Sequence, residues 1–267
     1  MLYNPEKLLI IAGPCALESR ELAFDVAKYL LEIQETYPEV QLVFKSSFDK
    51  ANRSSVNSKR GVGFNFGAEI FRELKASTNL LLTTDIHLQE QAKWAAEVCD
   101  ILQIPAFLCR QTDLLYAAAV TGRVVSVKKG QFLSPDEMKF VIEKLRNFGA
   151  QEIWPMERGT TFGYHNLVVD MRSFSIMRQF SNIAIFDATH SVQLPGGQNG
   201  VTVGQRQFVE HLAYGALAAG ANGLFFEVHT NPDKAICDAT NQLDVRQLSK
   251  IVGHCVKFWK LRKEIEN

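Results

Sequence analysis

The sequence predicts a single α/β domain, residues 1–267, closed into a (β/α)8 TIM barrel. Three observations predict this fold. The chain has 267 residues, and one such barrel commonly takes roughly 250 residues. Short apolar segments alternate with amphipathic segments from one end to the other, as in parallel α/β folds. Polar side chains follow most of the apolar segments. A doubly wound open sheet is the alternative arrangement.

The apolar segments predict eight strands. In chain order they are residues 8–12, 42–45, 80–84, 101–104, 124–128, 152–156, 183–186 and 223–227. Nearly continuous apolar runs of four or five residues are typical of strands that are buried on both faces.

The amphipathic segments predict the helices that connect these strands. They are residues 21–35, 66–77, 89–98, 135–147, 206–219 and 245–264. Ser134 followed by Pro135 resembles a helix N-cap with a favourable first residue, and Gly149 is typical of a helix end. The sequence has no linker, repeat or low-complexity segment that would mark a second domain.

Composition excludes several classes of function. Lys plus Arg and Asp plus Glu both number 29, so no overall basic field attracts nucleic acid or a membrane. No apolar run approaches the roughly 20 residues that span a bilayer, and the first residues lack a basic segment and a cleavage site. The five cysteines are scattered without close pairs, which argues against a disulfide framework. These features predict a cytoplasmic protein.

Reactive side chains follow at least six of the predicted strands. Because the carboxyl ends of barrel strands share one face, these side chains are expected to meet there. In chain order they are Cys15, Lys45 to Ser55, Asp85, Gln103, Lys128, Glu157 and Arg158, Asp187 and His190, and Glu227. Packing alone does not explain so many polar groups at one rim.

The most informative stretch is FKSSFDKANRSS, residues 44–55, where an apolar strand turns into a loop of cations, hydroxyls and amides. With Lys128 and Arg158, the Lys45, Lys50 and Arg53 side chains form a predicted cluster of positive charge at the barrel mouth. Such a cluster is repulsive unless anions compensate it. Phosphate or carboxylate groups of a ligand would do so. The alternatives are a solvated basic loop and ion pairs with rim carboxylates.

A second cluster has the character of a metal site. Cys15, His190, Glu227 and Asp238 follow the first, seventh and eighth strands, which are neighbours once a barrel closes. Thiolate, imidazole and carboxylate ligands suit zinc, iron or manganese. Taken singly, each residue also has a structural explanation, such as a buried cysteine or a histidine that satisfies a loop. His229 is a competing ligand, and Cys237 is expected to lie beside the site without being a ligand.

Two glycine-rich segments are candidates for further functional loops. GVGFNFG, residues 61–67, follows a polar loop and not a strand, so the sequence gives only weak support for a dinucleotide-binding role. LPGGQNGVTVG, residues 194–204, is long, small and polar, which favours a mobile lid or an interface loop.

Seven strings together resemble the 3-deoxy-D-manno-octulosonate-8-phosphate synthases. They are IAGPCALES, FKSSFDKANRSS, TDIH, QIPAFLCRQTDLL, VKKGQF, ERGTTFGYHNLVVD and FDATHSVQLPGG. They occur in the family's order over essentially the whole chain, and KANRSS is specific to that family. The related 3-deoxy-arabino-heptulosonate-7-phosphate synthases share the GPC start and the metal ligands but carry a KPRTS-like string there.

The resemblance implies a TIM barrel, usually a homotetramer, that condenses phosphoenolpyruvate with D-arabinose 5-phosphate. The products are 3-deoxy-D-manno-octulosonate 8-phosphate, a lipopolysaccharide precursor, and inorganic phosphate. Cys15 stands where the family's metal-independent branch has asparagine. The resemblance therefore implies the metal-dependent branch, with a divalent Fe2+, Zn2+ or Mn2+ ion bound by Cys15, His190, Glu227 and Asp238.

The resemblance also implies the substrate contacts. It places Lys50, Lys128 and Arg158 at phosphoenolpyruvate, in a pocket lined by Gln103, Pro105, Ala106 and Phe107. It places Lys45, Asn52, Arg53, Ser54 and Asp85 at arabinose 5-phosphate, with Arg53 and Ser54 at its phosphate. Arg110 is expected to reach that phosphate from a neighbouring subunit, and Gln193 is expected to contact substrate. Catalytic roles are implied for Lys50, Asn52, His190 and Asp238.

Two other functions stay open at this point. One is a heptulosonate-phosphate synthase that uses erythrose 4-phosphate. The other is a non-catalytic barrel that binds a phosphosugar and has kept the cation cluster. The acceptor that supports turnover discriminates between them.

Overall fold

The computed structural model describes residues 1–53, 55–198 and 201–266, and eight parallel strands form its centre. The barrel strands are β1 Leu8–Gly13, β2 Val40–Lys45, β3 Leu81–Asp85, β4 Ile101–Ile104, β5 Val124–Lys128, β6 Ile153–Glu157, β7 Ile185–Asp187 and β8 Gly223–His229. Each strand pairs in parallel with the next one along the chain.

The first and last strands also pair in parallel, which closes the sheet. Gly13 of β1 lies opposite Glu227 of β8 in this register. The predicted TIM barrel is therefore confirmed and the open sheet is excluded. Closure matters for the site because it makes neighbours of residues from the two ends of the chain.

Helices pack around the barrel. They are α1 Arg20–Thr36, α2 Phe64–Thr78, α3 Gln89–Val98, α4 Thr112–Ala119, α5 Met138–Asn147, α6 Ser173–Met177, α7 Val209–Ala218 and α8 Val245–Glu266. The sequence prediction missed α4 and α6, which are only 8 and 5 residues long. Such short segments give too few turns for helical periodicity to be visible. Among the described residues, no helix combines the length and the apolar character needed to cross a membrane.

The predicted start of the fifth helix was wrong. That helix, α5, begins at Met138, and turns cover the three preceding residues. The Ser134 hydroxyl donates to Glu137 Oε2 at 3.1 Å, and its backbone N–H donates to the same oxygen at 2.9 Å. The hydrogen bonds of Ser134 therefore go to the Glu137 carboxylate instead of capping a helix that starts at Pro135.

Alternate strand residues divide the apolar core into two layers. Inside the barrel, residues such as Leu9, Val43, Trp154, Ile185 and Phe225 pack together. The intervening residues face the helices and belong to a larger outer cluster. Side chains alternate along a strand. A residue two or four positions after an inner apolar residue therefore points into the barrel mouth.

Most of the predicted lid segment, residues 194–204, belongs to a β-hairpin. Gln193–Gln198 pairs antiparallel with Val201–Gly204. Residues 199 and 200 of that segment lie outside the described residues. Gly204, at the end of the hairpin, lies directly against Asn241, because a Cβ on Gly204 would come 1.0 Å from Asn241 Oδ1. The hairpin is thus anchored next to the loop that carries Asp238.

Candidate active site

One ring of polar residues forms the upper layer of the barrel interior. Each of them lies two residues beyond an inner apolar residue of its strand, or four in the cases of β3 and β5, so alternation points it inward. The ring consists of Lys45, Asp85, Gln103, Lys128, Arg158, Asp187 and Glu227. All seven are buried, with at most 6% of their surface exposed. The predicted functional face therefore has its reactive groups in one layer.

Glu227 is the negative centre of the first cluster. Its Oε1 atom lies 3.3 Å from Lys45 Nζ, 3.6 Å from Lys50 Nζ and 3.4 Å from His190 Nε2. Burial opposes ionisation of this carboxyl, but the neighbouring His190, Lys50 and Lys45 outweigh it and hold the pKa of Glu227 far below its usual range. Three cationic or protonatable groups thus share one carboxylate oxygen, so their positive charge is only partly compensated.

Lys50 is held in the charged state by the same surroundings. Burial alone would lower its pKa, but Cys15, which acts on it as the thiolate, and the Glu227 carboxylate raise the pKa of Lys50 well above its usual value. Its backbone N–H donates to the Arg60 carbonyl at 2.7 Å, which fixes the start of the 50–60 loop. The ammonium is therefore ready to bind a further anion.

Lys128 lies on the opposite side of the cluster. Its Nζ contacts Asp187 Oδ2 at 2.5 Å and His190 Nδ1 at 3.2 Å, and it lies 4.0 Å from the centre of the Phe225 ring. Burial lowers the pKa of Lys128, and Asp187 opposes that change. Lys128 therefore forms an ion pair with a rim carboxylate, which the sequence analysis gave as the alternative to binding a ligand anion.

Arg158 is linked to Asp238 through one side chain. Arg158 Nη2 donates to Gln193 Oε1 at 2.7 Å, and Gln193 Nε2 donates to Asp238 Oδ1 at 2.7 Å. Arg158 is 4% exposed, and its Nη1 atom has no hydrogen-bond partner among the described residues. A buried guanidinium nitrogen without a partner is costly, so it points to an acceptor supplied by a ligand.

The four predicted metal ligands belong to two overlapping triads, which share Asp238 and also include Cys237. One triad is Cys15, Cys237 and Asp238, and the other is His190, Glu227 and Asp238. Within each triad the ligand atoms all lie within 4.8 Å of one another. Cys15 Sγ lies 3.4 Å from Asp238 Oδ2. The two triads bring together every predicted ligand.

The donor atoms fit a divalent ion. Thiolate, imidazole and carboxylate are the ligands of zinc and similar ions. Glu227 Oε2 is buried and has no hydrogen-bond partner among the described residues. Burial, with the neighbouring Cys237, raises the pKa of the Cys15 thiol. A thiol binds metal as the thiolate, and the positive charge of a bound cation would stabilise that thiolate.

The loop around Cys15 is fixed from the opposite end of the chain. Gln242 accepts a hydrogen bond from the Cys15 N–H at 3.2 Å and donates to the Cys237 carbonyl at 2.9 Å. Cys237 Sγ lies 2.7 Å from Cys15 Sγ. Cys237 is therefore a neighbour of the proposed ligand set, as expected, and its own membership of a triad is an addition to the sequence prediction. His229 belongs to neither triad: its Nε2 lies 3.5 Å from Glu18 Oε1.

The residues predicted to bind the phosphosugar are only partly brought together. Asp85 is buried and contacts His87 Nε2 at 2.9 Å. Arg53 Nη2 donates to the Ile236 carbonyl at 3.4 Å, and its Nε is buried with no hydrogen-bond partner among the described residues. Asn52 is exposed, and Ser54 lies outside the described residues.

The predicted pocket residues at the end of β4 differ in their burial. Gln103 is 4% and Ala106 is 8% exposed, whereas Phe107 is 58% exposed. Pro105 begins the short turn that carries these residues out of the barrel. Arg110 is exposed as well, and its carbonyl accepts a hydrogen bond from Lys144. Phe107 and Arg110 therefore face outward in the single chain.

Sequence reasoning placed Asp187 at the functional face without a role and did not single out Phe225 or Gln242. Asp187 is the partner of both Lys128 and His190, and Phe225 supplies the ring beneath two lysines. Gln242 positions Cys15. The strand alternation that placed Glu227 inward also places Asp187 and Phe225 inward, so that signal was present. Gln242 has no comparable signal, because loop conformation decides its contact.

Comparison with known proteins identifies the family of the chain. The model of the DAHP synthetase I family matches residues 4–266. A 2-dehydro-3-deoxyphosphooctonate aldolase of Agrobacterium fabrum is 50% identical over 260 residues, 97% of this chain and 92% of its own. A protein of that name from Pelobacter propionicus is 52% identical over 246 residues, 92% of this chain and 90% of its own. One from Campylobacter jejuni subsp. doylei is 50% identical over 259 residues, 93% and 96% of the two chains. The chain therefore belongs to the DAHP synthetase I family and groups with its 2-dehydro-3-deoxyphosphooctonate aldolases.

Proposed function

We propose that this protein is a 3-deoxy-8-phosphooctulonate synthase. It condenses phosphoenolpyruvate, D-arabinose 5-phosphate and water to 3-deoxy-D-manno-octulosonate 8-phosphate and inorganic phosphate, for lipopolysaccharide biosynthesis. The observation that carries the proposal is the meeting of Lys45, Lys128 and Arg158, from three different strands, in one buried layer, with the partly buried Lys50 beside them. The lysines pair with Glu227 and Asp187. A phosphate or carboxylate group of a substrate would give the unpartnered Nη1 of Arg158 its acceptor. The relatives of about 50% identity carry the name of the same reaction.

In this proposal phosphoenolpyruvate binds between Lys50, Lys128 and Arg158. The unpartnered Nη1 of Arg158 is available to its phosphate or carboxylate, which guanidinium groups bind in a planar, bidentate manner. Gln103, Pro105 and Ala106 line the adjacent wall, whereas Phe107 faces outward. Gln193 keeps Arg158 in place through its 2.7 Å hydrogen bond.

Arabinose 5-phosphate binds on the other side, at Lys45, Asp85 and the 50–55 loop. Arg53 and Ser54 hold the sugar phosphate, and Asn52 holds a hydroxyl or the aldehyde. The orphaned Nε of Arg53 supports its role as an anion ligand. Lys50 then lies between the two substrates, since its ammonium is 3.6 Å from Glu227 and the loop that follows it carries Arg53.

The chemistry uses these positions directly. The terminal carbon of the enol phosphate forms a bond to the sugar aldehyde carbon, whose oxygen takes a proton. A water oxygen adds to the adjacent carbon, and the resulting hemiketal phosphate breaks its carbon–oxygen bond to release phosphate. Lys50, Lys128 and Arg158 stabilise the charge that moves during these steps, and burial of the layer limits side reactions with water.

A divalent ion of the kind that Cys15, His190, Glu227 and Asp238 can hold would supply Lewis acidity beside the aldehyde or the water. We therefore propose the metal-dependent branch, with Fe2+, Zn2+ or Mn2+. We propose that Asp238, which Gln193 orients, or His190 exchanges a proton with the reacting oxygen. Both are also candidate metal ligands, and a metal-bound imidazole is a poor base.

We also propose a homotetramer. Phe107, Phe132 and Phe140 are each more than half exposed on neighbouring units of the barrel, and exposed apolar surface of this kind is typical of subunit interfaces. Arg110 lies in the same region and would reach the sugar phosphate of a neighbouring subunit. Light scattering of the purified protein tests the assembly. All five cysteines lie in the described ranges as free thiols, which fits the predicted cytoplasmic location.

Phosphate release from phosphoenolpyruvate tests the function. The assay compares arabinose 5-phosphate, erythrose 4-phosphate and no acceptor, each with and without a chelator. We expect turnover that requires arabinose 5-phosphate. Faster turnover with erythrose 4-phosphate would favour the heptulosonate reaction instead, and binding of both substrates without product in a metal-loaded sample would favour a non-catalytic barrel.

A further inference from the structure

Two charged residues at the same rim point away from the proposed reaction. Lys129 follows Lys128 at the end of β5, and Glu157 precedes Arg158 at the end of β6. Because neighbouring side chains point to opposite faces of a strand, Lys129 and Glu157 face the surrounding loops. Both are buried, with 0% and 1% of their surface exposed. The proposed chemistry uses neither of them.

The Lys129 ammonium connects two loops. Its Nζ donates to Thr160 Oγ1 at 2.9 Å, to the Leu133 carbonyl at 3.1 Å and to the Gly130 carbonyl at 3.3 Å, and it lies 3.5 Å from Glu157 Oε1. An ammonium has three donors, so these oxygens share them. The loop that leaves β5 is thus fastened to the turn that leaves β6.

Glu157 fixes that turn from the inside. Its Oε1 accepts the backbone N–H groups of Arg158 at 3.0 Å and of Gly159 at 2.6 Å. Gly159 has φ +88°, a conformation that favours glycine. The backbone on both sides of the Arg158 Cα is therefore set by one carboxylate oxygen.

A purely structural contact would not need this pair. Removing an ammonium and a carboxylate from water costs several kcal/mol per ion, and apolar residues of similar volume often replace a buried pair without loss. Burial lowers the pKa of Lys129, and the Glu157 carboxylate opposes that change. What an apolar pair could not provide is the set of directed hydrogen bonds to the two backbone segments that begin at Lys128 and Arg158.

We propose that Lys129 and Glu157 are positioning residues that fix Lys128 and Arg158 for phosphoenolpyruvate, and so set the affinity for this substrate and not for the phosphosugar. The inference rests on the proposed function, because it assumes that Lys128 and Arg158 bind phosphoenolpyruvate. Neither Lys129 nor Glu157 touches the substrate.

The test measures substrate affinity in variants of the full-length, metal-loaded protein. Lys129→Met removes the charge at similar length, Lys129→Arg keeps it, and Glu157→Gln keeps an oxygen for the turn. Phosphoenolpyruvate binding is measured by calorimetry, and KM and kcat are measured for both substrates. Leu145→Ala in the buried face of α5 serves as the control for general loss of stability.

We expect Lys129→Met to weaken phosphoenolpyruvate binding and to raise its KM about tenfold, since small misplacements of binding groups have large effects. The KM for arabinose 5-phosphate should change less than about twofold, and Lys129→Arg should restore part of the loss. The double variant Lys129→Met/Glu157→Gln should lose less than the product of the two single losses, because residues that act as a pair are not additive. Leu145→Ala should raise neither KM.

Equal increases in both KM values, or unchanged phosphoenolpyruvate binding in folded Lys129→Met, would overturn the inference. Should Lys129→Met fail to fold, Glu157→Gln decides the matter: unchanged phosphoenolpyruvate affinity in this variant would overturn the inference. Failure of the wild-type protein to bind phosphoenolpyruvate would instead overturn the proposed function, so the two failures are distinguishable.

Discussion

The carboxylate of Glu227 lies 3.3 Å from the ammonium of Lys45 at the bottom of the barrel mouth. One residue belongs to the candidate metal site and the other to the cation cluster, so the two sites are a single electrostatic unit. A change of charge in the candidate metal site alters the electrostatic potential at the cation cluster, and the reverse, because the Glu227–Lys45 pair is buried and poorly screened by solvent. The predictions below separate their contributions.

Removal of metal should abolish turnover. Cys15, His190, Glu227 and Asp238 offer thiol, imidazole and carboxylate donors in two triads that share Asp238, and without an ion the Cys15 thiol remains protonated. We expect dialysis against a chelator to stop phosphate release, and Fe2+, Mn2+ or Zn2+ to restore it to different degrees. Metal analysis of the same samples provides the control. Full activity in a sample shown to be metal-free would remove Cys15 from the site.

Arg53→Ala should act on one substrate only. Loss of a guanidinium that binds a phosphate costs about 1.5–3 kcal/mol, so the KM for arabinose 5-phosphate should rise roughly tenfold to a hundredfold. The KM for phosphoenolpyruvate should change by less than about threefold on the same argument. Arg60→Ala is the matched control, because Arg60 lies in the same loop but pairs with Asp49 at the surface. Equal effects of Arg53→Ala on both substrates would contradict the assignment.

Gly13→Ala should destabilise the fold where β1 meets β2. A Cβ on Gly13 would lie 1.9 Å from the Lys45 carbonyl oxygen, so the two strands would have to separate. Overpacking of this kind costs about 1–3 kcal/mol, measurable by urea unfolding. Gly215→Ala in α7 is the control, since the atom nearest to a Cβ at that position is Met171 Cε at 3.5 Å, an ordinary van der Waals distance. A destabilisation of Gly13→Ala no greater than that of Gly215→Ala would refute this explanation.

Asp85 should make stability depend on pH in the acid range. Burial opposes its ionisation, but the hydrogen bond from His87 and the charge of Lys45 outweigh it and hold the pKa of Asp85 well below its usual value. A lowered folded-state pKa stabilises the fold above the unfolded value of about 3.9, and this stabilisation is lost as the pH falls towards the folded-state pKa.

The variant Asp85→Asn removes this contribution. Wild type should be more stable than Asp85→Asn by about 1–3 kcal/mol near pH 7, and the difference should shrink below about pH 4. Urea unfolding at a series of pH values measures it, with the surface variant Asp49→Asn as control. A difference that stays constant down to pH 3 would show that ionisation of Asp85 is not its cause.

Much of the fold and of the rim could be predicted because both depend on short-range patterns. Alternation along each strand decides which side chains point inward, and the order of strands in a closed barrel then decides which loops meet. Cys15 and Glu227 were therefore expected together, and Gly13 does lie opposite Glu227.

The remaining details depend on contacts between distant loops, which no local pattern encodes. The Arg158–Gln193–Asp238 chain joins residues up to 80 positions apart through two hydrogen bonds. Gln242 reaches Cys15 across most of the chain. Glu157 was visible in the sequence only as a rim charge and Lys129 was not singled out, because burial and hydrogen-bond partners, not residue type, distinguish a positioning group from a substrate ligand.

The parallel pairing of β1 with β8 has a consequence for the newly made protein. Cys15 leaves the ribosome early, whereas Glu227 and Asp238 are synthesised more than 200 residues later. A nascent chain therefore lacks half of the candidate ligand set until synthesis is nearly finished. An ion that needs all four ligands could therefore bind only to the completed barrel and not to the growing chain.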